Sequence, residues 1–202
     1  MIIYEYTNKM YIARQDLRQI RRIIVADYRE TVDYILGIPL FAQKIGKENL
    51  SSLLCRLGNP EKSIPAVHVA GTNGKGSTCR ALAQMLTGMG YRVGLFISPH
   101  LVSINERIQI DGENISDADF VWAFETVKEK FTQHPSFFEV MFAMAAVYFR
   151  EKKCDFVVYE TGMGGRLDAT NVLMPELSII TSVGMDHICL LYTSPSPRDI
   201  SG

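Results

Sequence analysis

The sequence has 202 residues, 47% of them hydrophobic and 21% charged, with a net charge of -1. That length holds one sizeable domain, or one domain with fragments, and the charge balance supplies no electrostatic draw toward nucleic acid or an anionic membrane. No run reaches the ~20 residues of a membrane span and no secretory leader is recognisable. The cysteines Cys55, Cys79, Cys154 and Cys189 have no metal-ligand spacing, so reduced thiols in a cytoplasmic protein are expected.

Residues 1–27 mix apolar side chains with Arg14, Arg18, Arg21 and Arg22 and read as an N-terminal extension, either an amphipathic helix or translated upstream sequence, without identifiable chemistry. Tyr28 to Leu36 has helical character, broken by Gly37-Ile38-Pro39. A second helix is predicted from about Gly46 to Leu57, with Leu50, Leu53, Leu54 and Leu57 on one face and Gly58-Asn59-Pro60 ending it.

Ala66 to Ala70 reads as a strand. The loop Gly71-Thr72-Asn73-Gly74-Lys75-Gly76-Ser77 follows, and then a helix with Ala81, Leu82, Met85, Leu86 and Met89 at helical spacing. A strand, a glycine loop with one lysine and a helix N-terminus offer backbone N–H groups and a full positive charge to an anion, and a nucleoside triphosphate is the natural occupant. The loop departs from G-x-x-x-x-G-K-[ST] because Gly76 separates Lys75 from Ser77.

Arg92 to Ile97 is a second buried strand, delivering Ser98-Pro99-His100 to its C-terminal end, where Ser98 is either a metal or phosphate ligand or part of a plain turn. Asn105 to Gly112 is a loop leading into a short strand and turn, with Glu106 and Arg107 available for a surface ion pair. Ser116 with Asp119 starts a helix striped by Phe120, Phe124, Val127 and Phe131, and Trp122 is assigned to packing. Ser136-Phe137-Phe138-Glu139 is a capping box opening a helix that is apolar nearly all round, and Glu139 is either the cap alone or a ligand as well.

Cys154 to Tyr159 is a third strand ending on Glu160. A glycine-rich loop runs from Thr161 to Asn171, and a fourth strand, Leu177 to Thr181, leads to Asp186-His187. The alternation predicts an α/β fold with a doubly wound, mostly parallel sheet. Lys75, Ser98, Glu160 and Asp186-His187 then fall at one sheet edge.

The segments Gly71–Ser77, Ser98-Pro99-His100-Leu101, Asn105-Glu106-Arg107-Ile108, Glu160 to Asn171 and Asp186-His187 together resemble the folylpolyglutamate synthase / dihydrofolate synthase family, ATP-dependent amide ligases related to the Mur ligases. The resemblance runs from about Tyr28 to His187 and implies a P-loop NTPase-like domain of the Mur ligase central type over residues 28–187. It implies transfer of the γ-phosphoryl group of ATP to a carboxylate of dihydropteroate or a folyl-glutamate, followed by attack of the L-glutamate amine. By the same resemblance Thr72, Asn73, Gly74, Lys75, Gly76 and Ser77 bind ATP, and Ser98, Glu160 and His187 hold Mg2+. Lys75, Glu160 and His187 carry catalysis, and Ser136, Phe137, Phe138, Glu139, Leu167, Asp168 and Ala169 line the substrate pocket, which the loop from Ser98 to Arg107 helps to close. A monomer working on small molecules is implied.

Beyond His187 the likeness stops. Residues 188–202, with Ser194-Pro195-Ser196-Pro197, read as a junction foreign to the family, with a genuine short linker as the alternative; the members of the family continue into a helix with a carbamylated lysine and a second domain. On that reading the 202-residue chain is expected to be inactive alone. A Mur-type amino-acid ligase, a phosphate-loop kinase and a non-catalytic nucleotide-binding module are the alternatives.

Overall fold

A computed structural model describes residues 27–39, 48–132, 134–162 and 168–184. The N-terminal extension to residue 26, the predicted start of the second helix at Gly46, Leu167, Asp186, His187 and the tail 188–202 lie outside the described residues.

Residues 27–36 form helix α1 and Glu48–Arg56 helix α2. Leu50, Leu53, Leu54 and Leu57 are all buried, as their helical spacing requires. Then come β1 (Ala66–Ala70), α3 (Lys75–Gly88), β2 (Val93–Phe96), β3 (Ile108–Ile110), β4 (Glu113–Asn114), α4 (Asp117–Lys128), α5 (Phe137–Glu151), β5 (Phe156–Glu160) and β6 (Leu177–Ile180). One sheet runs in the order β4-β3-β2-β5-β1-β6. β2, β5, β1 and β6 are parallel, and the hairpin β3-β4 adds antiparallel at the β2 edge.

Side chains alternate across the pleat and so divide the core in two. Val69, Val93, Leu95, Ile97 and Val158 face α3, where Cys79 and Ala83 meet them. Phe96, Val157 and Tyr159 face α5, whose buried surface runs from Phe137 to Phe149. The predicted stripe on α3 is corrected here: Met85 and Met89 are 66% and 69% exposed, and Cys79, Leu82, Ala83 and Leu86 form the packed face. The sequence spacing allowed either register, and the small Cys79 and Ala83 let the helix lie close on the strands. Trp122, assigned to packing, is an exposed large hydrophobic.

Both predicted helix starts are present. Ser116 Oγ accepts the Asp119 N–H at 3.1 Å. Ser136 Oγ accepts the Glu139 N–H at 3.4 Å, while Glu139 Oε2 accepts the Ser136 N–H at 2.7 Å. Asn105 ties the periphery together: its Oδ1 accepts the Tyr28 hydroxyl at 2.7 Å and its Nδ2 donates to the Ile115 carbonyl at 2.9 Å. No helix among the described residues is long and apolar enough to cross a membrane. Cys55, Cys79 and Cys154 are free thiols; burial pushes the Cys79 thiol up to about 12, with the Glu160 carboxylate adding to it.

Candidate phosphate and metal site

The site grows from the C-terminal ends of β1, β2 and β5. β1 runs into Gly71 at φ 136 and Gly74 at φ 80, values that L side chains rarely adopt. A Cβ on Gly71 would also collide with Thr181 Oγ1 and the Ser182 backbone. Those same residues pin the loop: the Thr72 N–H donates to the Ser182 carbonyl at 2.8 Å and the Asn73 N–H to Ser182 Oγ at 3.1 Å. Two of the N–H groups expected to face phosphate are thereby engaged by the segment leaving β6.

The others remain. Gly74 is the N-cap of α3 and supplies no side-chain cap, so the first N–H groups of the helix, at Lys75, Gly76 and Ser77, have no partner within it. Lys75 Nζ lies over the same loop and donates to the Gly71 carbonyl at 2.8 Å and the Thr72 carbonyl at 3.3 Å. An uncapped helix start with an ammonium beside it suits an anion.

Glu160 ends β5 on the α3 side of the sheet and is 4% exposed. Its Oε2 accepts the Ser98 N–H at 2.9 Å. A Cβ built on Gly76 would stand 3.5 Å from Oε2 and 3.6 Å from Oε1. The glycine that breaks the general loop pattern is thus what brings the first turn of α3 against this carboxylate without a side chain between them. Burial raises the Glu160 pKa, and the Ser98 N–H, Lys75, Arg80 and Arg107 pull the other way. Beside it, Thr161 Oγ1 is buried without a hydrogen-bond partner. A buried carboxylate short of positive partners and an orphaned hydroxyl are oxygen donors of the kind a hard divalent cation takes. Among the described residues no three His, Cys, Asp or Glu side chains are grouped to hold a metal.

The loop after β2 is built differently from the expectation of a Glu106–Arg107 ion pair. Glu106 accepts the N–H groups of Leu101 at 2.7 Å, Val102 at 2.9 Å and Ser103 at 2.8 Å. These bonds hold its pKa below the ordinary value. Arg107 turns inward: its Nε donates to His100 Nδ1 at 2.8 Å and its guanidinium lies over the Phe137 ring. Desolvation, and then the charge of Arg107, lower the His100 pKa, which suits a neutral ring accepting at Nδ1.

The glycine-rich loop after Glu160 is closed by Asp168. Its Oδ2 accepts the Gly162 N–H at 2.8 Å, its Oδ1 the Thr170 N–H at 2.9 Å, and the Thr170 hydroxyl donates to Oδ1 as well. That hydroxyl, its proton given to Asp168, accepts from His68 Nε2 at 2.8 Å. Phe138 meets the Phe96 ring at 5.5 Å between centroids, and Ala169 begins a 3-10 turn packed on the same core. Sequence reasoning missed His68 and Thr170 because no local spacing links them; they meet where the 3-10 turn Ala169–Val172 packs beside β1.

Lys75, Gly76, Ser98 and Glu160 therefore gather at one rim of a mostly parallel sheet, with Ser136 to Glu139, Asp168 and Ala169 on the α5 side. This is an α/β domain of the phosphate-loop type. The chain belongs to the Mur ligase middle-domain family, whose model matches residues 69–193. It is 45% identical over 172 residues to the dihydrofolate synthase/folylpolyglutamate synthase of Bacillus subtilis, covering 81% of this chain and 40% of that protein. It is 41% identical over 173 residues to the folylpolyglutamate synthase of Lacticaseibacillus casei, with 82% and 40% covered. Among solved structures, Mycobacterium tuberculosis folylpolyglutamate synthase complexed with ADP superposes with a TM-score of 0.76 at 35% identity, covering 81% of this chain and 38% of that one. An FPGS–AMPPCP–folate complex superposes with a TM-score of 0.78 at 41% identity, with 81% and 42% covered. The chain thus spans about 40% of the length of the curated relatives it matches.

Proposed function

We propose that this chain is the nucleotide-binding part of an ATP-dependent ligase that joins L-glutamate to the carboxylate of dihydropteroate or a folyl-glutamate. The observation that carries the reading is the meeting of the Glu160 carboxylate, the Ser98 N–H and the side-chain-free Gly76 beside the lysine loop. The similarity to synthases solved with ADP, AMPPCP and folate supports it.

In this reading the N–H groups of Gly74, Lys75, Gly76 and Ser77, with the Lys75 ammonium, hold the triphosphate, and Thr72 and Asn73 shape the loop by bonding back to Ser182. Ser98 and Glu160 would hold Mg2+ together with His187. Mg2+ supplies charge neutralisation at the phosphates. Phosphoryl transfer then depends on positioning: an oxygen of the acid attacks the γ-phosphorus, the bond to the β-phosphate oxygen breaks, and ADP leaves. The glutamate amine attacks the acyl carbon, phosphate departs, and the amine proton passes to solvent. Ser136, Phe137, Phe138, Glu139, Leu167, Asp168 and Ala169 line the pocket for the ring system of the acid, with Asp168 keeping the loop closed. The reading carries with it a cytoplasmic monomer.

The test is ADP release by the protein carrying this chain at the length of its relatives. Release that requires both dihydropteroate or a folate and L-glutamate is expected. Release undiminished when the acid is omitted would refute the ligase reading in favour of a simple nucleotidase, and transfer without glutamate would favour a kinase.

A further inference from the structure

Arg107 occupies a place that the site as described does not account for. Its carbonyl accepts the Ile97 N–H at 3.0 Å, one residue before Ser98, so it stands at the same rim as Glu160. The residue is 8% exposed. Its Nε is tied to His100 Nδ1 at 2.8 Å, and its guanidinium carbon lies 5.1 Å from the centroid of the Phe137 ring. One contact fixes the edge of the fork and the other its face.

No described residue pairs with the outer edge of the fork. Among the described residues Arg107 forms no ion pair, and Nη1 and Nη2 carry no hydrogen bond. Neither nitrogen is sealed from solvent: the sealed, unbonded side-chain atoms among the described residues are Glu61 Oε2 and Thr161 Oγ1. Glu160 acts on the guanidinium through its field without pairing with it. Burying a guanidinium is unfavourable unless its charge is met, and two adjacent N–H donors match the two oxygens of a carboxylate.

We propose that Arg107 is the receptor for the substrate carboxylate that is to be activated, gripping it through Nη1 and Nη2 while His100 and Phe137 hold the fork in plane. The proposal rests on the ligase reading above. The stacking partner favours the acid over the nucleotide: Phe137, under the guanidinium, opens α5, whereas the uncapped N–H groups and Lys75, which the ligase reading gives to the phosphates, belong to α3. The acid must bring one anion up to another, and a fixed cation beside it offsets that repulsion.

Calorimetric titration of the protein carrying this chain at the length of its relatives, and of its Arg107→Gln and Arg107→Lys variants, each with Mg-ATP and then with dihydropteroate or its carboxamide, tests this. Near-UV circular dichroism identifies folded variants. Wild type is expected to prefer the acid to the amide, and Arg107→Gln to lose roughly 10- to 100-fold in affinity for the acid alone. Its Mg-ATP affinity should stay within about twofold, and Arg107→Lys should recover part of the preference as a point charge without the fork. A folded Arg107→Gln that keeps the acid preference, or that loses Mg-ATP and acid equally, overturns the assignment and leaves the ligase reading standing. Folded wild type that binds Mg-ATP but shows no preference for the acid overturns it too. Folded wild type that binds neither ligand removes the ligase reading and this inference with it.

Discussion

Gly76→Ala separates the stability of the phosphate loop from its proposed use. The substitution adds a methyl at the second residue of α3, where the backbone is ordinary helix, so it should stabilise the fold by up to about 1 kcal/mol. For a chain of this size that raises Tm by about 2–4 °C. The same methyl would stand 3.5 and 3.6 Å from the two Glu160 carboxylate oxygens. Mg2+ binds an oxygen at about 2.1 Å and keeps several waters, whose reach extends to about 4 Å from the ligand. The methyl therefore sits inside the hydrated shell and should weaken Mg-dependent nucleotide binding by at least ~10-fold, about 1.4 kcal/mol. Thermal unfolding reads both effects. In EDTA the variant should melt above wild type, and with saturating Mg-ATP its ligand-induced rise should be smaller, by the amount mass action assigns to a tenfold weaker complex. An equal Mg-ATP-induced rise in both proteins would refute the claim that a cation works against this carboxylate.

Three further outcomes are expected. Because its three N–H bonds depress the Glu106 pKa, the stability that carboxylate contributes is present above its ordinary value of 4.5 and is lost as pH falls through the lower folded value; hydrogen-exchange protection at Leu101, Val102 and Ser103, taken relative to the intrinsic rate at each pH, should fall below pH 4.5 before that of the core amides does, and simultaneous loss would contradict this. Thr170→Val keeps shape but strips Asp168 of its hydroxyl donor and His68 of its acceptor, so urea unfolding should show a loss of about 1–3 kcal/mol, against little change for Ser178→Ala on exposed β6. Gly94→Ala would put a Cβ 2.7 Å from Phe149 Cδ1; overpacking of about 1–3 kcal/mol should lower Tm, and Gly94→Ala with Phe149→Leu should restore much of it.

The rim of the site was legible because the chemistry sits next to the strand that presents it. Lys75 follows β1 and Ser98 follows β2 within a few residues, while Glu160 closes β5, so finding each strand located each polar group. The capping box at Ser136 was legible for the same reason, being a spacing of three along one helix start. What stayed hidden depended on how the turns fold back onto the sheet. His68 reaches Thr170 across 102 positions, and the inward turn of Arg107 follows from a backbone bond to Ile97 that no pattern within the loop announces. The face of α3 was misread because Cys79 and Ala83 carry little hydrophobic signal, while Met85 and Met89 carry much and stand outside. Small residues mark close approach of helix to sheet, which hydrophobicity alone does not measure.

The two borders of the sheet are unlike. At one, β4 is two residues long and carries Glu113 and Asn114; a strand so short and polar offers a newcomer almost no ladder to extend. At the other, β6 has β1 as its one partner among the described residues and leaves Leu177 and Ile180 51% and 64% exposed. The architecture therefore has a direction of growth: added backbone, whether from further sequence or from self-association in a concentrated preparation, finds its template beyond β6 and not beyond β4.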